Sequence, residues 1–175
     1  NMLADLGFGF IEVGSVTARS WPGNSKPRLF RLARDRAIIN RMGLNNQGAD
    51  TIAARLKLRR SDIPIFVNVA KTPDPNITVE AAIADYRQSV ERVKGVADVI
   101  VVNISCPNSG DGKTFEEAGV LDALLTSLFG VLDGEDTPLL VKVSPDLTDE
   151  QLEAVVRISE RHGVSGFTAT NTTTS

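Results

Sequence analysis

Asp98-Val-Ile-Val-Val-Asn-Ile-Ser-Cys-Pro-Asn108 decides how this chain is read. An apolar run rich in valine and isoleucine ends at Asn103, and a cysteine–proline–asparagine turn follows. Both faces of the run are apolar, the pattern of a strand buried in a parallel sheet. The chain's one cysteine, Cys106, lies just past the C-terminal end of that strand. In alternating β/α proteins this end of the sheet carries the loops that perform chemistry. A thiol, two carboxamides and a rigid turn therefore converge where a site is expected.

Strand-like runs also occur at residues 8–13, 63–69, 138–143 and 166–170, besides 98–103. Helical patterns separate the later ones. Ile83, Tyr86, Val90 and Val93 share one helical face, as do Leu121, Leu124, Leu125 and Leu128. Thr148 with Gln151 predicts a capping box, opening a helix that runs to His162 and stops at Gly163. A weaker helix follows Gln47, carried by Ile52 and Leu56. This alternation implies an α/β fold with parallel pairing. Five β/α units fit either part of a (β/α)8 TIM barrel or a small doubly wound sheet, and length alone favours the sheet. Residues 20–46 interrupt the alternation, and a β-hairpin is expected there at Leu29–Leu32 and Ala37–Asn40. The opening Asn1-Met-Leu-Ala-Asp-Leu-Gly7 reads as a helix tail closed by a glycine. The chain ends just past a strand, so it is expected to be a piece of a larger protein.

Composition narrows the function. The 175 residues carry a net charge of −3, which argues against general binding of a phosphate backbone. One Trp and one Tyr make a poor base-stacking platform, so no nucleic-acid partner is expected. A single cysteine forms neither an intrachain disulfide nor a zinc cluster; a reducing compartment and no metal follow. No run reaches the roughly 18 apolar residues that span a membrane.

Three strands end in or next to asparagine, at Asn68, Asn103 and Asn171, and a fourth carries Lys142. Asparagine is depleted in strands, and a buried lysine needs a partner. One such residue reads as a turn former or a solvated edge. Four at equivalent strand ends suit a planar polar ligand with alternating donors and acceptors, because a carboxamide offers both. Lys142 would bring positive charge to an electron-rich ring or an anion. Cys106 alone reads as an inert thiol; on a strand-end loop stiffened by Pro107 it can act as a nucleophile or a base. His162, the only histidine, sits at a helix end, so a Cys–His hydrolase dyad within the chain is not supported. No G-x-G-x-x-G follows a strand, which leaves a nicotinamide site unsupported. Arg19, Arg28, Arg31, Arg34 and Arg36 crowd the insertion, as a solvated basic loop or a surface for an anionic partner or a membrane.

Several blocks closely resemble the dihydroorotate dehydrogenases: Gly7-Phe-Gly-Phe-Ile-Glu-Val-Gly-Ser-Val-Thr17, Pro22-Gly-Asn24, Lys26-Pro-Arg-Leu-Phe-Arg-Leu32 and Ile39-Asn-Arg-Met-Gly-Leu-Asn-Asn46. Asn103-Ile-Ser-Cys-Pro-Asn108, Leu140-Val-Lys-Val-Ser-Pro-Asp-Leu147 and Ala169-Thr-Asn-Thr-Thr173 add to the likeness, which runs in order along nearly the whole chain. The K-P-R-L-F-R-L and I-N-R-M-G blocks resemble the class 2, quinone-reducing, membrane-associated branch. The resemblance implies an FMN-containing (β/α)8 barrel of pyrimidine biosynthesis that oxidises dihydroorotate to orotate, with residues 1–175 as its central part. Cys106 would take the C5 proton of dihydroorotate while hydride leaves C6 for flavin N5. Ser15, Asn68, Asn103, Lys142 and Thr170 would contact FMN. Asn40, Asn103, Asn108, Asn171 and Thr172, with the backbone of Arg41, Met42, Gly43 and Leu44, would hold the substrate.

Electrons would pass to a quinone at the cell membrane, on the cytoplasmic side in a bacterium, or at the mitochondrial inner membrane in a eukaryote. Peripheral association would run through N-terminal helices upstream. The first strand with its flavin-gripping lysine would also lie upstream, and the phosphate-binding loops downstream, so the isolated chain is expected to be poorly stable and inactive. Some positions depart from the class 2 pattern. Cys106 stands where class 2 members carry serine and class 1 members cysteine. Ser15 replaces a common threonine, Leu44 a frequent phenylalanine, and Ala18, Ser20 and Trp21 break the usual P-R-P-Q run. Another FMN-barrel oxidoreductase, of the dihydropyrimidine or dihydrouridine type, and a non-catalytic α/β ligand-binding module are the alternatives.

Overall fold

The computed structural model describes residues 2–59, 62–105 and 114–173. A short helix α1 (Met2–Asp5) precedes strand β1 (Ile11–Val16). The hairpin strands β2 (Leu29–Leu32) and β3 (Ala37–Asn40) come next, with the bounds expected from sequence. Strands and helices then alternate: α2 (Ala49–Lys57), β4 (Ile65–Val69), α3 (Val79–Val93), β5 (Val99–Asn103), α4 (Ala118–Val131), β6 (Leu139–Val143), α5 (Asp149–His162) and β7 (Gly166–Ala169). Five strands form one parallel sheet in the order β1-β4-β5-β6-β7, while β2 and β3 pair antiparallel outside it. Neighbours in the sheet are consecutive β/α units, the order of a barrel segment. A doubly wound sheet, which length alone favoured, would reverse its order part-way.

Alternation along the strands sorts side chains onto two faces. Val67, Val69, Ile100, Val102, Leu139, Val141 and Val143 face the helices and are buried. They meet Tyr86, Val90 and Val93 of α3, Leu121, Leu124, Leu125 and Leu128 of α4, and Val155 and Ile158 of α5. The helical faces read from the 3.6-residue period thus form this core, with Ile83, Ile52 and Leu56 packed at its edge. Each fully buried aliphatic side chain contributes roughly 1.5–3 kcal/mol. The opposite strand face carries Phe66, Asn68, Val101, Asn103, Leu140, Lys142 and Thr168, and that face holds the polar residues.

The capping box of α5 is present: Thr148 Oγ1 accepts from Gln151 N, and Gln151 Oε1 accepts from Thr148 N. Gly163 closes the helix at φ 78°, a conformation that costs glycine little, and its N–H reaches back to Glu160 O and Ser159 O. β1 differs from expectation. The apolar run suggested residues 8–13, but the strand occupies Ile11–Val16. Its ladder starts where Ile11 N donates to Pro64 O and continues to Val16 O, which accepts from Ala70 N. Phe10 lies ahead of the ladder, its ring stacked on that of Phe66 with centroids 4.4 Å apart. Gly14 and Ser15 interrupt the apolar pattern without interrupting the strand. The hairpin leaves Leu29, Phe30, Leu32, Ile38 and Ile39 exposed. Among the described residues, no helix is long and apolar enough to cross a membrane.

Candidate active site

The strand register sets the site. Asn103 pairs with Lys142 and Lys142 with Thr168, which aligns three polar side chains across β5, β6 and β7. Asn68 stands on the same face of β4, and Glu12 on that of β1. A continuous set of hydrogen bonds links Asn103, Asn68 and Glu12 through Ser15, and extends to Ser105 and Asn171. Asn171 Nδ2 donates to Ser105 Oγ at 2.8 Å, and Ser105 Oγ donates to Asn103 Oδ1 at 2.7 Å. Asn103 Nδ2 reaches Ser15 Oγ at 3.5 Å, the weakest link, and Ser15 Oγ donates to Asn68 Oδ1 at 2.7 Å. Asn68 Nδ2 donates to Glu12 Oε1 at 2.8 Å. The same carboxylate oxygen lies 3.6 Å from Lys142 Nζ. Asn68 and Asn103 are buried, and the lysine and glutamate side chains are mostly so.

Backbone contacts hold the strand ends in place. The buried Tyr86 hydroxyl of α3 donates to Asn103 O at 2.7 Å, tying the helix layer to the last residue of β5. Ile104 N reaches Lys142 O, and Asn171 N donates to Val143 O. Beyond β4, the Asp85 carboxylate accepts from both Thr72 N and Thr72 Oγ1 within buried surroundings. Tyr86→Phe leaves the ring packing but removes the donor from a buried carbonyl. The expected cost is about 1–2 kcal/mol in denaturant unfolding. An unchanged midpoint would show that Asn103 O needs no help from α3.

The insertion reaches the same end of the sheet. Asn46 Nδ2 donates to Thr17 Oγ1 at 2.8 Å and to Leu44 O at 2.7 Å, so one side chain clamps the segment after β3 onto the end of β1. Within that segment Asn40 Oδ1 accepts from Met42 N, and Arg41 donates to Pro27 O. Gly43 and Leu44 both have positive φ, 70° and 54°. A non-glycine residue in that region is uncommon and concentrates at functional positions. Past β7, Thr170 Oγ1 donates to Asn171 O, and Thr172 N donates to Asn171 Oδ1.

Ser15, Asn68, Asn103, Lys142 and Asn171, singled out from sequence, are therefore brought together. Asn40, Arg41, Met42, Gly43 and Leu44 form a neighbouring segment anchored through Asn46. Cys106 and Asn108 lie outside the described residues. Sequence reasoning missed Glu12, Ser105 and Tyr86. An ionisable residue in an apolar strand needs a partner, so Lys142 itself signals a carboxylate such as Glu12. Another unforeseen carboxylate is Glu116, whose Oε1 accepts from Ser144 N just after β6. Burial pushes its carboxyl above the usual range, and the Ser144 hydrogen bond offsets part of that.

The basic insertion resolves into local contacts. Arg19 pairs with Asp74 at 3.1 Å, Arg28 donates to Pro22 O and Asn24 O, and Arg31, Arg34 and Arg36 are exposed. His162 closes α5, at the other end of the α5–β7 unit from Asn171, and pairs with Asp122 at 3.0 Å where α5 meets α4.

A parallel β/α-barrel segment with a hydrogen-bonded polar row on one strand face is the class of protein that fold and geometry define. Its family is more specific: the model of the dihydroorotate dehydrogenase family matches residues 1–175, and the chain belongs to that family. It is 47% identical over 176 residues to a dihydroorotate dehydrogenase (quinone) of Clavibacter michiganensis subsp. michiganensis, covering 99% of this chain and 50% of that protein. A protein of the same name from Haloarcula marismortui is 48% identical over 98% of this chain and 48% of its own length. The crystal structure of DHODH from Eimeria tenella in complex with ferulenol superposes with a TM-score of 0.87 at 33% identity, over 97% of this chain and 52% of that one. The chain spans about half the length of the curated relatives it matches.

Proposed function

We propose that the protein containing this chain oxidises dihydroorotate to orotate in de novo pyrimidine biosynthesis, with FMN as bound oxidant and a quinone as electron acceptor. Residues 1–175 supply the central β/α units of its barrel. The observation that carries the reading is the hydrogen-bonded row Asn171–Ser105–Asn103–Ser15–Asn68–Glu12 with Lys142 beside it. Two hydroxyls and three carboxamides in one row, with an ammonium group beside it, suit a flat ring whose edge alternates carbonyl oxygens and ring N–H groups. When bound, FMN supplies a two-electron acceptor for the hydride leaving substrate C6.

The chain's own residues do the rest. Ser15, Asn68, Asn103, Lys142 and Thr170 would hold the flavin, Lys142 supplying positive charge to an electron-rich ring. Asn40, Asn103, Asn108, Asn171 and Thr172, with the backbone of Arg41 through Leu44, hold the substrate carboxylate and ring amides. The Cys106 thiolate takes the C5 proton, so hydride and proton leave adjacent carbons and a C=C bond forms between them. The names of the relatives support a quinone acceptor, and the apolar side chains exposed on the hairpin support contact with an apolar partner at a membrane surface. The protein is then a peripheral protein of the bacterial cell membrane, or of the mitochondrial inner membrane in a eukaryote.

Steady-state oxidation of dihydroorotate by the full-length protein, with a short-chain ubiquinone or with fumarate, tests the acceptor. Turnover with the quinone is expected to exceed that with fumarate by at least about 100-fold, worth ~2.7 kcal/mol in barrier. Preference for fumarate would replace the quinone in this reading.

A further inference from the structure

The hydrogen bonds of the row all run in one direction. Asn171 donates to Ser105, Ser105 to Asn103, Asn103 to Ser15, Ser15 to Asn68, and Asn68 to Glu12. Serine hydroxyls and carboxamides can each donate or accept, so five such groups in a row could point either way. An ionised carboxylate can only accept. Glu12 therefore fixes Asn68 with its NH2 group toward the Glu12 carboxylate and its carbonyl toward Ser15, and each later member follows. The same Oε1 atom lies 3.6 Å from Lys142 Nζ, so Glu12 also opposes the one positive charge of the row. A glutamine would fill the same volume and still accept from Asn68, but it could not oppose that charge.

We propose that Glu12 is a positioning residue with two tasks: it sets the polarity of the carboxamide row and offsets the charge that Lys142 presents to the bound ring. The inference rests on the flavin reading above. Reduction places two electrons on the flavin, and a nearby cation favours that state while a nearby carboxylate opposes it. Glu12 thus holds the flavin potential below the value that Lys142 alone would set.

The test is a redox titration of the full-length protein with its native flavin, comparing the parent with Glu12→Gln. The flavin of the variant is expected to shift roughly tenfold toward the reduced form in the two-electron equilibrium, about +30 mV. A potential unmoved in a flavin-loaded variant overturns the proposal, whatever happens to turnover. Lys142→Met is measured as well and stands in if Glu12→Gln does not fold. It leaves the carboxylate unopposed, so the shift is expected in the opposite direction by a similar factor, and no shift there also overturns the proposal. Protein extracted without any flavin in the parent refutes the flavin reading and this inference with it; that outcome is distinct from a loaded flavin of unchanged potential.

Discussion

Cys106→Ala in the full-length protein is expected to lower turnover roughly 10²–10⁴-fold, the usual range for loss of a positioned general base. Bound flavin and orotate affinity are expected to stay within about threefold of the parent, since a proton-transfer step, not a binding contact, is removed. The hypothesis rests on the place of Cys106 just past β5, in a chain of the dihydroorotate dehydrogenase family. No imidazole competes for the role within the chain, because His162 is engaged with Asp122 between α4 and α5. The pH dependence has a definite sign. A thiol is a base only when ionised, and its reference pKa is near 8.5, so the rate rises with pH and levels off above the thiol ionisation. Cys106→Ser moves that rise to higher pH, because a hydroxyl gives up its proton far less readily. Full turnover in Cys106→Ala would remove the thiol from the mechanism.

Gly14→Ala is expected to be the most damaging single methyl addition in the sheet. Gly14 has a φ of 137°, where residues with a Cβ are strained. A Cβ there would collide with Asn68 O and lie 2.9 Å from Asn68 Cβ. Neither neighbour can yield cheaply, because β4 is paired with β1 on one side and β5 on the other. Relief requires β1 to move away from β4, which pulls Ser15 from Asn68 and opens the row. Backbone strain and overpacking each cost about 1–3 kcal/mol, so a loss of roughly 2–5 kcal/mol is expected, with flavin retention falling alongside it. Gly130→Ala is the control. Gly130 is exposed on α4 with nothing near its absent Cβ, and alanine there is expected to stabilise by up to about 1 kcal/mol. Denaturant unfolding and the flavin-to-protein ratio check both variants. Gly14→Ala matching Gly130→Ala would show that the strand ends tolerate the displacement.

Elements marked by local chemistry were legible from the residues. The hairpin bounds, the Thr148–Gln151 box and the leucine face of α4 each follow from turn, cap or period signals that need no tertiary knowledge. The start of β1 was not legible, because apolar Phe8 and Phe10 look like strand while Gly14 and Ser15 do not, and the ladder with β4 decides the matter. For the site, Asn68, Asn103 and Lys142 stood out as polar residues in apolar strands. Glu12 belonged to the same class but sat in a strand whose start was read three residues too early. Tyr86 gave no signal of its own, since its ring fits the apolar helix face and only the fold brings its hydroxyl under Asn103 O. Choosing a barrel over an open doubly wound sheet came from the motif blocks, because five alternating units satisfy both patterns until the strand order is known.

Anaerobic addition of dihydroorotate to the purified full-length protein, followed through the flavin absorbance, tests the central claim most directly. Bleaching of the flavin near one equivalent of dihydroorotate, with orotate formed in step, is the expected result. A bound flavin that stays oxidised would contradict it, assign the polar row to another substrate and leave Cys106 without its proton.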